Sequence, residues 1–304
     1  MSYRDPEIGQ IRQVLAGLVA PADAPRPSVE KQRADYEAFG RSIPLPDGCE
    51  VEPISAGGVP AQRMTPRGAD RGAAILYLHG GGYVIGSAAT HAHMVARLAE
   101  AAGTVAINLD YRLAPEHPYP AAVDDAVAAY GWMLEQGWPA SRIVIAGDSA
   151  GGGLTLATAV ALKAKGLPQP AGLYPISPWT DLTQSGAAHT AKLASDPICN
   201  PAGLEEMSGL YRAGAAANEP LVSPLFADLS GLAPMLIHVG SEEVLLTDAT
   251  ALAERAALAG VEVRLEAWPE MIHVWPFFHA MLAAGRRAIA EAGAWIGGRV
   301  AAGA

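Results

Sequence analysis

The residues whose types and spacing could do chemistry begin with Gly147-Asp148-Ser149-Ala150-Gly151, with Gly152 and Gly153 following. A short apolar run, Arg142–Ala146, precedes this pentapeptide, and a helical stretch, Gly152–Lys165, follows it. Gly-x-Ser-x-Gly between a strand and a helix makes a sharp turn that lifts the serine hydroxyl clear of a sheet. Small neighbours are needed because the serine backbone is strained there. The helix N-terminus beneath favours negative charge developing nearby. Nucleophilic attack on a carbonyl is the chemistry such a turn serves. In a chain with 33 glycines the five letters could also match by chance, but the strand and helix around them argue otherwise.

A second run, His79-Gly80-Gly81-Gly82, follows the apolar segment Ala73–Leu78. Three glycines let the backbone approach a ligand closely. The expected oxyanion donors are the amides of Gly81 and Gly82, with that of Ala150 after the serine. No Gly-Lys-Ser/Thr follows, and no Gly-x-Gly-x-x-Gly opens a helix, so a phosphate loop fits less well.

A serine nucleophile needs a base. In hydrolases built on this turn the chain order is serine, acid, histidine. Of eight histidines, His79, His91, His93 and His117 precede Ser149. His189 precedes the candidate acids, and His238 lies inside an apolar strand run. His273 and His279 remain. His273 ends Trp268-Pro-Glu-Met-Ile-His273, where a loop would leave the sheet edge, whereas His279 falls in an apparent helix, Pro276–Leu282, so His273 is favoured. The acid belongs on the loop after Pro234–Val239, where Glu242, Glu243 and Asp248 stand. Its work is to hold the imidazole in one tautomer and stabilise the imidazolium. Asp248 reads as opening or capping the next helix, and spacing alone does not separate Glu242 from Glu243. His91-Ala-His93 has the form of a metal pair without a useful third ligand, so a solvated helix start is the better reading. No metal or other cofactor is expected.

These groups need elements to position them. Strands are expected at Ala73–His79, Thr104–Asp110, Arg142–Ala146, Ala171–Ile176, Pro234–Val239 and Val261–Ala267. Helices are expected at His91–Ala102, Ala121–Gln136, Gly152–Lys165 and Asp248–Ala259. Strand–helix alternation argues a mostly parallel sheet covered on both faces. Two segments stand outside that rhythm. Near the N-terminus, Ile8, Ile11, Leu15 and Leu18 form one apolar stripe, Pro21–Pro27 breaks it, and Ser28 could cap a second helix that presents Tyr36 and Phe39. From Trp179 to Ser223 only a helix near Gly203–Arg212 is apparent, an insertion over the strand ends.

Bulk properties bound the rest. Of 304 residues half are apolar and 17% charged, enough for a substantial core. A formal charge of −10 disfavours nucleic acid and anionic membranes as partners. The longest mainly apolar stretches, such as Leu154–Leu162, fall far short of the ~20 residues of a membrane helix. Met1–Gly9 lacks the apolar core of a secretory signal, and two cysteines, Cys49 and Cys199, make no disulfide framework. A cytoplasmic location is expected.

Together these motifs resemble the hormone-sensitive-lipase-like esterases, a branch of the α/β hydrolases. His79–Gly82 and Gly147–Gly152 match two of that family's signatures. Asp110-Tyr-Arg-Leu-Ala-Pro-Glu-His-Pro-Tyr-Pro120 and Ser177-Pro-Trp-Thr-Asp-Leu182 match others, and His273-Val-Trp-Pro-Phe-Phe278 looks like the segment carrying its histidine. The resemblance covers about residues 45–300. It implies an α/β-hydrolase fold at 46–179 and 223–304, under a helical cap formed by 1–45 and 180–222. It implies Ser149 as nucleophile and His273 as base. The family usually carries Asp three residues after the position of Gly240. Glu243 stands there and is the implied acid, with Glu242 as the fallback. Asp110-Tyr-Arg112 reads as architecture under the site.

The expected protein is then a serine carboxylester hydrolase acting through an acyl-enzyme. By resemblance its substrates are small esters with short to medium acyl chains. The side chains of Ser185–Ser195, small or modest apart from His189, Lys192 and Leu193, suggest a cap that selects small acyl groups. A homodimer is compatible with this reading. An amidase, deacetylase or peptidase with the same three residues is the alternative chemistry. A non-catalytic small-molecule receptor on this fold is the alternative class, and the presence of both Ser149 and His273 argues against it.

Overall fold

The computed structural model describes residues 5–18 and 27–303. Among these, eight strands form one sheet. They are β1 (Cys49–Ala56), β2 (Val59–Pro66), β3 (Asp70–Leu78), β4 (Thr104–Leu109), β5 (Ile143–Asp148), β6 (Gly172–Ile176), β7 (Met235–Gly240) and β8 (Val263–Trp268). Their order is β1-β2-β4-β3-β5-β6-β7-β8. β1 and β2 pair antiparallel, β2 pairs antiparallel with β4, and all the remaining pairs are parallel. This is the α/β-hydrolase fold, a mostly parallel sheet flanked by helices.

The helices are α1 (Glu7–Leu18), α2 (Val29–Arg41), α3 (Ala88–Ala102), α4 (Ala121–Glu135), α5 (Ala150–Ala164), α6 (Ala188–Ala191), α7 (Pro201–Arg212), α8 (Leu246–Leu258) and α9 (Ala283–Ala302). Side-chain alternation along a strand sorts the two cores. Ala74, Leu76 and Leu78 of β3 lie in the core that α4 and α5 cover, while Ala73, Ile75 and Tyr77 lie in the core that α3 and α9 cover. Both faces are buried, so these strands read as unbroken apolar runs.

The chain leaves β3 for β4 on one side and returns to β5 on the other. The carboxyl ends of β3 and β5 therefore flank the point where the strand order reverses, the place where open α/β sheets bind ligands. The loop after β3 carries His79–Gly82, and the turn after β5 carries Ser149.

Four expectations change. Strands β1 and β2 were not expected: Glu50 and Glu52 break the apolar pattern of an edge strand with mostly exposed or half-buried side chains. Helix α9 was not expected either, since Gly293, Gly297 and Gly298 weaken its helical signature. Gly293 is needed there, because a Cβ would sit 2.4 Å from that of Ala101 on α3. Helix α3 begins three residues earlier than read. Ser87 and Thr90 close a reciprocal cap, with Thr90 N–H donating to Ser87 Oγ (3.1 Å) and Ser87 N–H to Thr90 Oγ1 (3.0 Å). His91 and His93 thus lie one turn in and are buried, not solvated. Residues 276–282 do not make an α-helix. A 3₁₀ turn, Trp275–Phe278, precedes an extended Leu282.

Near the N-terminus, Ile8 and Ile11 of α1 are buried, and Ser28 Oγ accepts from Lys31 N–H (3.3 Å) to cap α2. The break at Pro21–Pro27 lies, except for Pro27, outside the described residues. No described helix is long and apolar enough to cross a membrane.

Candidate active site

Ser149 occupies the turn between β5 and α5 at φ 53°, ψ −121°, a strained conformation for a residue with a side chain. The turn is held by Ser149 N–H on Ile176 carbonyl (2.8 Å) and by Trp179 N–H on Ser149 carbonyl (2.9 Å). Gly151 is required, since a Cβ there would lie 1.9 Å from the Leu78 carbonyl. The hydroxyl that this turn presents meets His273, its Oγ 2.9 Å from Nε2. On the other side of the ring Nδ1 lies 2.8 Å from Glu243 Oε2. An ionised carboxylate only accepts, so in the neutral ring Nδ1 carries the proton and Nε2 is left to accept from the serine.

Glu243 is wholly buried. Its other oxygen, Oε1, accepts from Ser177 O–H (2.6 Å) and Gly240 N–H (2.5 Å). Ser177 Oγ in turn accepts from Val274 N–H (3.1 Å), fixing the residue after His273 at φ 49°. Burial pushes the Glu243 carboxyl up, against the bonds from His273 and Ser177 that pull it down. Burial pulls His273 down, but Cys199 and Glu243 beside it outweigh burial and hold the imidazole well above its usual range.

The neighbouring carboxylate Glu242 turns the other way. It is part-exposed beside Lys192 Nζ (3.5 Å) and Ser241 Oγ (3.0 Å). The chain makes a turn at Ser241-Glu242, so the two glutamates leave on different sides. Asp248 stands in the first turn of α8, as expected, but its side chain does not cap that helix. It is buried, and its Oδ2 accepts from Thr180 N–H and Asp181 N–H (both 2.9 Å). His279 does not approach Ser149; its Nε2 is 3.0 Å from His93 Nδ1 in the core. Burial brings His93 down to about 3 and His279 down to about 4.

Gly81 and Gly82 bring their backbone to the same place. Among the described residues nothing accepts from the N–H of Gly81, Gly82 or Ala150, leaving three donors beside the serine. Asp148 braces this loop: its Oδ1 accepts from Gly80 N–H (3.1 Å) and Tyr77 O–H (2.8 Å). Burial would raise Asp148, but His91 at 3.3 Å and the Tyr77 hydroxyl outweigh it and hold the carboxyl below its usual range. The Asp110-Tyr-Arg112 segment serves the same scaffold. Tyr111 O–H donates to His79 carbonyl (2.6 Å), Asp110 accepts from Ala88 N–H (3.0 Å), and Arg112 grips Asp125.

Ser149 and His273 open into a cavity of about 480 Å³. Its walls come from Tyr36 and Phe39 of α2, Leu204 and Met207 of α7, and Ile85 and Phe277. Ser185–Ser195, expected to shape the site, contributes no wall residue; the segment just after it, Ile198 to Asn200, does. Sequence reasoning missed the thiol of Cys199 on this wall. It also missed Ser177 and Asp148 as partners of the site, although both lie inside the quoted motifs. Among the described residues one cluster of metal-ligand types exists, His238, Glu266 and Glu291. None of the three lines the cavity, and Arg264 and His238 pair with Glu266.

Residues 75–277 match the family described by the alpha/beta hydrolase fold. An acetyl-hydrolase of Streptomyces hygroscopicus is 47% identical over 272 residues, spanning 88% of this chain and 89% of its own. The crystal structure of EstE5 soaked with p-nitrophenyl butyrate superposes with a TM-score of 0.94 at 44% identity, over 97% of this chain and 99% of that one. An esterase from the bacterial hormone-sensitive lipase family gives 0.94 at 43% identity, over 98% and 99%. The chain belongs to the hormone-sensitive-lipase family of the α/β-hydrolase superfamily.

Proposed function

We propose that Ser149 attacks the carbonyl of a small carboxylic ester while His273 Nε2 takes its proton. The amides of Gly81, Gly82 and Ala150 hold the oxyanion, and Glu243 stabilises the imidazolium. His273 then protonates the leaving alcohol, and a water activated by the same imidazole frees the acid. The protein is a carboxylester hydrolase, in keeping with relatives named acetyl-hydrolase and esterase. Its substrates are esters of short to medium acyl chain. The carrying observation is the continuous contact Ser149–His273–Glu243, at the mouth of an apolar cavity beside three uncommitted amides. A receptor would need the cavity but not this contact. The two unpaired thiols support a cytoplasmic location.

The test is Ser149→Ala. Hydrolysis of p-nitrophenyl butyrate should fall by about a thousandfold or more. Covalent labelling by a sulfonyl fluoride should disappear, and the melting temperature should stay near wild type. A variant with a tenth of wild-type turnover, or one still labelled, overturns the assignment.

A further inference from the structure

Asp196 belongs to none of the sequence motifs, yet it joins two parts of the site. It lies between α6 and α7 and is largely buried. Its Oδ1 accepts from Ile198 N–H and Cys199 N–H (both 2.9 Å), two residues of the cavity wall. Its Oδ2 accepts from Val244 N–H (2.9 Å), the residue after Glu243. Weaker bonds run alongside, from Ser195 Oγ to Glu242 carbonyl (3.3 Å) and from Lys192 to the Glu242 carboxylate. Arg12 on α1 holds the Ser195 carbonyl (2.8 Å).

We propose that Asp196 is a positioning residue whose carboxylate locks the cavity wall at Ile198–Cys199 to the loop of Glu243, so that wall and acid are set as one piece. The proposal rests on Glu243 acting as the acid. It makes a distinction that ordinary packing does not: the carboxylate should matter to turnover only through Glu243. The charge acts in the same place. Among the described residues the ionisable groups about His273 are Glu243 and Cys199, with Asp196 next to both, Lys192, Glu242 and Arg12 outside them, and Asp148 and Tyr36 on the other walls of the cavity. Removing a negative charge from that set makes the imidazolium less stable, so the imidazole titrates lower.

Asp196→Asn keeps shape, but sets an NH₂ group against one of the N–H donors. Turnover of p-nitrophenyl butyrate should fall roughly 10- to 100-fold, the scale of a small misplacement of a reacting group. KM should rise, because the wall loosens. The acid limb of the pH–rate profile should move to lower pH. In a Glu243→Gln background the same substitution should cost little further turnover, because both act on one contact. Asp196→Ser, which offers a single neutral acceptor, is carried through the same measurements so that a poorly folding Asn variant does not end the test. Sulfonyl fluoride titration counts folded sites in each. Wild-type turnover and pH limb with only a lowered melting temperature overturn the proposal, as does a full, additive loss in the Glu243→Gln background. Glu243→Gln alone running at wild-type rate overturns the acid assignment itself.

Discussion

In the proposed mechanism only a neutral imidazole can take the proton of Ser149, so the titration of His273 should govern the acid side of the rate profile. Burial lowers this histidine, while Cys199 and Glu243 raise it by a larger amount. The group is charged below its folded pKa and neutral above it. kcat/KM should therefore fall as pH drops, with a midpoint above the ordinary imidazole value of about 6.5. Glu243→Gln removes the buried carboxylate that raises it and should move the limb to lower pH. Profiles from pH 5 to 9 for both proteins decide it, and an unmoved or upward-shifted limb contradicts the role of the carboxylate. Nothing in the sequence ties Cys199 to a histidine 74 positions away (273 − 199). Ser149 and His273 were legible because a local turn motif and chain order single them out. Glu243 was legible only through the family's spacing, since its separation from Glu242 depends on a turn that adjacent identical residues do not announce.

At the scale of elements, local patterns served where an element answers to its own sequence and failed where tertiary contact decides. The parallel strands β3 to β7 are apolar on both faces and showed plainly. Edge strand β1 has mostly polar or half-buried side chains and is held by pairing with β2, so its sequence carries little signal. Asp248 shows the same failure in one side chain. Its place at the start of α8 suggested a capping carboxylate, but the group reaches out of its helix to the backbone of the Ser177–Leu182 loop. His189 stands 3.3 Å from its other oxygen. Asp248→Ala leaves two buried N–H groups without acceptors, each costing about 1–3 kcal/mol. We expect a loss of about 3 kcal/mol in unfolding free energy, measured by urea titration. A loss under about 1 kcal/mol, the size of an exposed helix-terminal charge effect, would mean that the loop finds other partners.

For the molecule as a whole, the site is a half-open cavity rather than a flat surface. Among the described residues the exposed large apolar side chains are Val14, Leu45, Leu193, Ile198, Phe226, Leu258 and Met281, spread along the chain, and of these Ile198 alone lines the cavity. About 480 Å³ lies toward the lower end of small-molecule pockets, and its walls from α2 and α7 are well packed. Leu204 is buried, and Met207 packs so closely that a Cβ on Gly82 would meet its sulfur at 2.1 Å. A short acyl chain fills such a space and gains burial with each methylene, about 0.8 kcal/mol apiece, until it meets the wall. Beyond that point each further methylene must displace packed side chains or project back into water. Across p-nitrophenyl esters from acetate to laurate, kcat/KM should rise over the first few carbons and then decline. No jump should appear when substrate passes its solubility limit. Met207→Ala removes wall without touching Ser149, His273 or Glu243, so it should shift the optimum toward longer chains and leave the pH limb in place. An optimum at laurate in the wild type, or an unchanged optimum in Met207→Ala, would show that α7 does not set the length of the acyl site.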